Sequence, residues 1–252
     1  MEPKLVILVT AGSAGLGAEV CRLFARRGYR VVINYSSNTA RAAQLCKEIN
    51  RGQEEHDGKP SHMTIQADLA QREDVQRLVQ ETISAMGRLD VVFSNGGWTR
   101  FTDTTSLDDN VNVEDWDRAF TMNVKSHLWL LHASKEHLKK TEGAFITTAS
   151  VAGVQGMGSS LAYGATKAAQ IHMVKGLASM VGPEIRVNTI SPGMLQTEWA
   201  ERFSAEQKDA MKQKSKLKRF AELEDVALQV LTLAISRSMT GTNIIVDGGW
   251  VS

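Results

Sequence analysis

Residues 5–17 read LVILVTAGSAGLG: the apolar run Leu5–Val9 leads straight into a loop with glycines at 12, 15 and 17. A glycine-rich stretch between a strand and a helix usually holds a phosphate. Glycines let the backbone approach a pyrophosphate closely, and the N–H groups at the helix start meet the negative charge. A tight strand-to-helix turn without a ligand would explain the glycines alone; the order strand, loop, helix favours the phosphate reading. The spacing, T-A-G-x-x-G-x-G, differs from the G-x-G-x-x-G dinucleotide fingerprint, and Ala11 stands where a glycine might be expected. Alanine fails mainly where φ must be positive. A working loop therefore predicts a negative φ at Ala11, with Gly12, Gly15 and Gly17 giving close phosphate approach and helix packing; a positive φ there, or a side chain blocking the pyrophosphate, would reopen the reading of a damaged loop.

Outward from this loop the pattern repeats. Apolar, β-branched runs at 4–10, 31–35, 62–67, 89–94, 143–148, 184–190 and 242–247 alternate with helical spacing at 15–28, 39–51, 71–87, 113–139, 162–181 and 222–236. Uniformly apolar runs such as VVINY suit a sheet covered on both faces. The alternation predicts an α/β fold, a doubly wound Rossmann-type sheet of about seven parallel strands forming one domain over residues 1–252. The charged segment 194–219 breaks the rhythm and reads as a lid over a site.

Composition narrows the function classes. The net charge of +1 shows no bias towards nucleic acid or an anionic membrane, and the lysine-rich stretch 208–219 reads as a solvated lid helix. Cys21 and Cys46 fall in helical segments and read as free thiols. The N-terminal apolar run is too short for a signal segment, and no stretch approaches the about 20 apolar residues of a membrane span, so a cytoplasmic protein is the expectation. His127, His132 and His137 recur every five residues, which spreads them around a helix; solvated or interface histidines are expected in place of a metal site.

Further motifs follow in order along nearly the whole chain. They are Asp68 in ADL, SNGG at 94–97, Asn123 in FTMNV, Ser150 in ASVAG, YGATK with Tyr163 and Lys167, SPGMLQT at 191–197, and VDGG at 246–249. With the glycine loop, this ordered set resembles the short-chain dehydrogenase/reductase family, Ala11 replacing the first glycine of its loop. Within that family the chain is similar to NADPH-dependent ketone reductases of the 3-oxoacyl and polyketide type. The resemblance implies cofactor contacts from Gly12, Ser13, Gly15, Leu16 and Gly17. It also implies them from Tyr35, Ser36, Ser37 and Asn38, from Asp68 and Leu69 at the adenine, and from Asn95 and Gly96. Tyr163, Lys167, Pro192, Gly193, Leu195 and Thr197 would complete them around the nicotinamide.

The resemblance also implies a catalytic group of Asn123, Ser150, Tyr163 and Lys167. Tyr163 and Lys167 are four residues apart and share a helix face. Alone, such a pair is usually a surface contact. In this context Tyr163 would be the general acid of reduction and general base of oxidation, with the Lys167 ammonium lowering its pKa from near ~10 and holding the nicotinamide ribose. Ser150 would hydrogen-bond the substrate oxygen. Asn123 would position a water linking Lys167 to solvent. None of these roles needs a metal.

The second strand bears on the cofactor. An NAD-binding unit usually ends this strand with an acid for the ribose 2′-OH. Here Tyr35 takes that position and no Asp or Glu follows until Glu48. NADP(H) is favoured and NAD(H) stays open. Ser36, Ser37 and Asn38 could bind a 2′-phosphate or only form a turn. Asn38 or Thr39 could cap the next helix, and Arg41 could reach the phosphate. The basic residue common near the second loop glycine is missing, since Ser13 and Ala14 stand there.

Loops at 97–102, 151–160 and 194–203 offer Trp98, Phe101, Val154, Met157, Met194, Leu195, Trp199 and Phe203 for an apolar or aromatic substrate pocket, or for ordinary packing. Arg100 could meet an anionic substrate or face water. The expected activity is NADPH-dependent reduction of a small or medium, mostly apolar ketone. An NAD(P)-dependent alcohol dehydrogenase and a non-catalytic dinucleotide sensor are the alternatives. The family resemblance implies a homo-oligomer, tetramer or dimer, built on the long helices and C-terminal strand.

Overall fold

The computed structural model describes residues 4–51, 61–156 and 158–251; Met157, one of the expected pocket residues, lies outside them. Among the described residues the strands are β1 (Val6–Val9), β2 (Arg30–Tyr35), β3 (His62–Gln66), β4 (Val91–Ser94), β5 (Ala144–Thr148), β6 (Arg186–Pro192) and β7 (Asn243–Val246). They form one seven-stranded sheet of order β3-β2-β1-β4-β5-β6-β7. Every neighbouring pair is parallel, with Val9 opposite Ile33 and Phe93. Parallel neighbours need crossovers, and helices supply them.

Those helices are α1 (Gly15–Arg26), α2 (Thr39–Ile49), α3 (Arg72–Met86), α4 (Val113–Phe120), α5 (Ser126–Lys139), α6 (Ala152–Gln155), α7 (Leu161–Val181), α8 (Ala205–Lys214) and α9 (Leu223–Ile235). One core packs α1 and α9 on the sheet, joining Val20, Phe24, Val226 and Val230 to Ile7, Phe93 and Ile146. The other packs α3, α5 and α7 on the opposite face, joining Leu78, Leu130 and Val174 to Leu8, Val92 and Phe145. Strand residues are therefore apolar on both sides, which is why the runs look continuous in sequence.

Two segments differ from the periodicity. The stretch 113–139 is two helices joined by a π-helical turn, Thr121–Lys125, in which Ser126 N–H reaches back to Thr121 O. Such turns often mark functional positions, and Asn123 sits in this one. The stretch 194–219 contains a 3₁₀ turn, Glu198–Arg202, and then α8, which Ser204 and Gln207 start with a capping box. α8 buries none of its residues.

The chain order reverses between β1 and β4, so the loops after these strands part at the carboxyl edge and leave a crevice there. Asn34, buried in β2, ties that edge together. Its Oδ1 accepts from Ala11 N–H at 3.1 Å, and its Nδ2 lies 3.2–3.3 Å from the carbonyls of Tyr35, Ile65 and Ala67. Its own carbonyl accepts from Gly12 N–H at 2.8 Å. Asn34→Leu keeps the volume but strands several buried polar groups, at about 1–3 kcal/mol for each one left unpaired. The expected outcome in urea unfolding is a lower midpoint with an unchanged slope; a loss under about 1 kcal/mol would show that these bonds do not hold the loop.

Candidate active site

The glycine loop has the shape of an anion cradle. A Cβ on Gly12 would lie 2.9 Å from Val9 O, and one on Gly17 2.4 Å from Ala11 O, so backbone crowding excludes side chains at both. Gly15 starts α1 with φ +51°. Ala14, the N-cap of α1, caps nothing with its side chain, and no acid occupies the first turn. By contrast Asn38, Asn112, Ser160 and Ser204 cap α2, α4, α7 and α8. The first N–H groups of α1 thus lack a side-chain acceptor, as those of α3, α6 and α9 do, but only at α1 do they open onto the glycine loop, where a pyrophosphate fits. Leu16 is buried beneath this turn and Ser13 lies half-buried beside it.

Ala11 corrects the sequence reading: its φ is +47°, not negative. The cause is the pair of anchors on Asn34, which fold residues 11 and 12 back across the end of β2. The side chain of Ala11 is exposed, so the departure is conformational strain at one residue and the glycines keep their cradle.

The expected adenine-side residues line the same edge. Tyr35 is half-buried, and Ser36, Ser37 and Asn38 are exposed beyond β2, with no carboxylate among them. Asn38 caps α2 by accepting from Arg41 N–H. The Arg41 guanidinium is paired with Glu198 at 2.6 Å, so it lies across to the 194–219 segment. Asp68 accepts from Ala70 N–H, and Leu69 fills the space that a Cβ on Gly96 would need. Asn95 joins three elements: its N–H donates to Thr10 Oγ1, its Nδ2 points to Ala11 O, and its Oδ1 accepts from Thr148. On the far side, Pro192 O accepts from Val151 N–H, Gly193 packs on Asp247, and Leu195 bridges to Ala221. Thr197 Cγ2 would lie 3.2 Å from a Cβ on Gly15, which closes the segment onto the glycine loop.

Ser150 follows β5, while Tyr163 and Lys167 rise from α7, whose start Ser160 caps through Tyr163 N–H at 3.1 Å. Burial pushes the Tyr163 phenol up to about 12, and its hydrogen bond with Ser150 pulls the other way. Lys167 is buried to 3 % exposure, and burial pulls its pKa down to about 7. Its ammonium lies 5.6 Å from the centre of the Tyr163 ring and donates to Thr148 O at 2.7 Å and Gln170 Oε1 at 3.1 Å. The lysine therefore leans towards β5, and burial, not the ammonium, dominates the phenol in this arrangement. Asn123 is fully buried, accepting from Trp98 N–H and donating to Trp98 O and Thr166 Oγ1. Both its amide hydrogens bond protein atoms, so its side chain fastens the loop after β4 to α7.

Part of the expected aromatic pocket assembles. Trp199 meets Tyr163 edge-on at 5.9 Å and Phe101 at 6.0 Å, while Phe203 meets Phe101 at 5.5 Å. Trp98 lies instead under Arg118, and Arg100 is bonded to Asp109 and Asp115, which removes it as a free anion receptor. Two side chains that the sequence reading left out surround Lys167. Gln170 contacts it directly, and His127 stands behind Gln170. The spacing carried a signal, since Gln170 is three residues after Lys167 and His127 four after Asn123. Among the described residues no group of three or more acidic, His or Cys side chains could hold a metal, and no helix is long and apolar enough to cross a membrane.

Comparison with known proteins finds relatives along nearly the whole chain. A family model described as enoyl-(acyl carrier protein) reductase matches residues 10–251. A 3-oxoacyl-(acyl-carrier-protein) reductase of Synechocystis is 32% identical over 252 residues, covering 98% of this chain and 96% of that one. The 3-oxoacyl-(acyl-carrier-protein) reductase FabG of Staphylococcus epidermidis is 30% identical, covering 96% of this chain and 97% of its own length. A short chain dehydrogenase of Burkholderia cenocepacia, solved in complex with NADP, superimposes with a TM-score of 0.87 at 30% identity, covering 99% of this chain and 98% of its own.

The strain at Ala11 has a measurable consequence. A left-handed conformation costs a non-glycine residue about 1–2 kcal/mol, partly offset by the greater freedom of glycine in the unfolded chain. Ala11→Gly is expected to raise unfolding stability by about 0.5–1 kcal/mol, read by denaturant titration. A lower stability would mean that residue 11 is not held at positive φ.

Proposed function

The chain belongs to the short-chain dehydrogenase/reductase family, and from that premise we propose that it is an NADPH-dependent reductase of ketones to secondary alcohols. The observation that carries the reading is the meeting of Tyr163, Ser150 and Lys167 at the same sheet edge as the uncapped start of α1. NADP(H) is favoured because Tyr35 stands where a carboxylate would repel a 2′-phosphate, with the exposed Ser36, Ser37 and Asn38 beside it. The NADP complex of the Burkholderia relative supports the same choice.

NADPH, when bound at the glycine loop, supplies the hydride. Ser150 donates a hydrogen bond to the ketone oxygen and so stabilises the charge that develops there. Tyr163 gives its proton to that oxygen. A phenol held near 12 keeps its proton at neutral pH, which suits an acid in the reducing direction. Lys167 steadies the phenolate left behind, and holding the ribose falls to it as well. Asn123 fixes the loop after β4 beside Lys167. Phe101, Trp199 and Phe203 give the substrate an aromatic wall, and 194–219 serves as the lid of one cofactor-binding domain over 1–252. The exposed Leu107, Val111, Val113 and Leu128 around α4 and α5 favour a homo-oligomer.

The test is a panel of β-keto esters, β-keto thioesters and aryl ketones, followed by loss of reduced nicotinamide absorbance at about 340 nm. Tyr163→Phe is expected to bind NADPH as the parent does and to lose at least about a hundredfold in kcat. Unchanged turnover would sink the assigned acid. Separate titrations should give tighter binding of NADPH than of NADH, and the reverse order would overturn the cofactor choice.

A further inference from the structure

Behind Lys167 lies a chain of polar side chains for which packing alone gives no reason. Ser94 of β4, His127 of α5, and Gln170 and Lys167 of α7 are all buried. Lys167 can only donate, so Gln170 turns its Oε1 to the ammonium at 3.1 Å. Its Nε2 then donates to Thr148 O at 3.2 Å and to His127 Nε2 at 3.3 Å. An imidazole that accepts at Nε2 carries its proton on Nδ1, and there Ser94 Oγ lies 2.6 Å away as the acceptor. Every member points one way, from the ammonium to Ser94.

We propose that Gln170, oriented by the neutral His127–Ser94 pair, is a positioning residue that holds the Lys167 ammonium beside Tyr163. This rests on the Tyr163–Lys167 chemistry proposed above. Leucines at 127 and 170 would fill the same core without the desolvation that four polar groups carry. A polar network is tolerated there because each of its members is paired. It does not lead a proton to solvent, since its far end, Ser94, is itself 2 % exposed. The direction of the chain matters. Protonated His127 could not accept from Gln170, and the amide would face two donors with a single oxygen to offer them. Burial and the Lys167 charge hold His127 down at about 3, so the ring stays neutral across the working range. The titratable groups facing Lys167 are Tyr163 from its own helix and His127 from α5. β5 offers it Thr148 O, which does not titrate, and the loop after β4 brings Gly97, which carries no side chain, beside it.

The sign of the effect follows. Gln170 Oε1 favours the charged lysine, and the charged lysine favours the phenolate of Tyr163. Removing the acceptor lowers the Lys167 pKa further, weakens its field, and raises the pKa of Tyr163. Tyr163 must be deprotonated to act as base in alcohol oxidation, so the acid limb of that profile should move to higher pH.

Gln170→Met and His127→Leu test this, with Ser94→Ala as a milder change at the end of the chain in case the larger ones fold poorly. Each is measured with NADP and the alcohol of the best ketone in the panel, per site that binds NADPH. Gln170→Met is expected to lower kcat at least tenfold and to move the acid limb up by about one pH unit, with smaller shifts of the same sign in the other two. A purely structural role would lower the melting temperature and the number of binding sites but leave kcat per site and the limb in place. That result in Gln170→Met, or an unmoved limb in both His127→Leu and Ser94→Ala, overturns the proposal. Tyr163→Phe separates the two levels: if it keeps turnover, the underlying chemistry fails; if it is silent while Gln170→Met behaves as the parent, only the positioning role fails.

Discussion

A buried ammonium sets the terms for this site. Moving a charge out of water is costly unless the fold supplies acceptors in its place, and without them the group gives up its proton. Lys167 has a carbonyl at the end of β5 and an amide oxygen one helical turn along α7. The first comes from the sheet and the second from the helix, so the lysine is placed only when α7 packs on β5 in one register. Small contacts permit that packing: a Cβ on Gly153 would lie 2.5 Å from the Lys167 backbone. The arrangement ties the chemistry to the close approach of two helices, α6 and α7.

The same economy holds on the glycine-loop side of the edge. A parallel sheet brings every strand-to-helix turn to one end, but it does not dictate how those turns touch. Side chains do that work. Thr10 takes the N–H groups of Asn95 and Gly96, Asn95 spans from the first loop to β5, and Asn34 spans from the first loop to β3. These are short polar residues at strand ends, Thr10 and Asn34 buried and Asn95 half-buried, where a backbone N–H or C=O has left the ladder and needs a partner. The loops thus form a lattice, and Ala11 is strained because two of its bonds are fixed from outside.

The sheet was legible because both of its faces are covered: seven apolar runs in alternation with helical periods leave few other topologies. The placing of Tyr163, Lys167 and Ser150 together was legible because their motifs are short and local. What escaped was set by distant contacts. The φ of Ala11 depends on Asn34, 23 residues away. The lean of Lys167 towards Thr148 and Gln170 depends on α7 meeting β5. His127 shared a five-residue spacing with two other histidines and looked like one of a solvated series, yet it is fully buried and they are not. The break at Asn123 was not read from the sequence, because a single π turn shifts the helical phase by only one residue within a stretch that is apolar and polar on both sides of it.

The segment over the crevice is held differently from the floor beneath it. Thr197 rests on Gly15, and Ala200 and Leu195 are anchored, but α8 buries nothing. The Arg41–Glu198 pair that ties the segment to α2 is largely exposed on the carboxylate side, and exposed pairs of this kind contribute about 0–1 kcal/mol. Edge-to-face aromatic pairs such as Phe101–Trp199 and Phe101–Phe203 add about 0.5–1.5 kcal/mol each beyond the area they bury. The aromatic contacts therefore outweigh the ion pair in keeping the segment down. The rigid floor and the lightly held cover thus follow from one division: buried polar bonds below, exchangeable aromatic faces above.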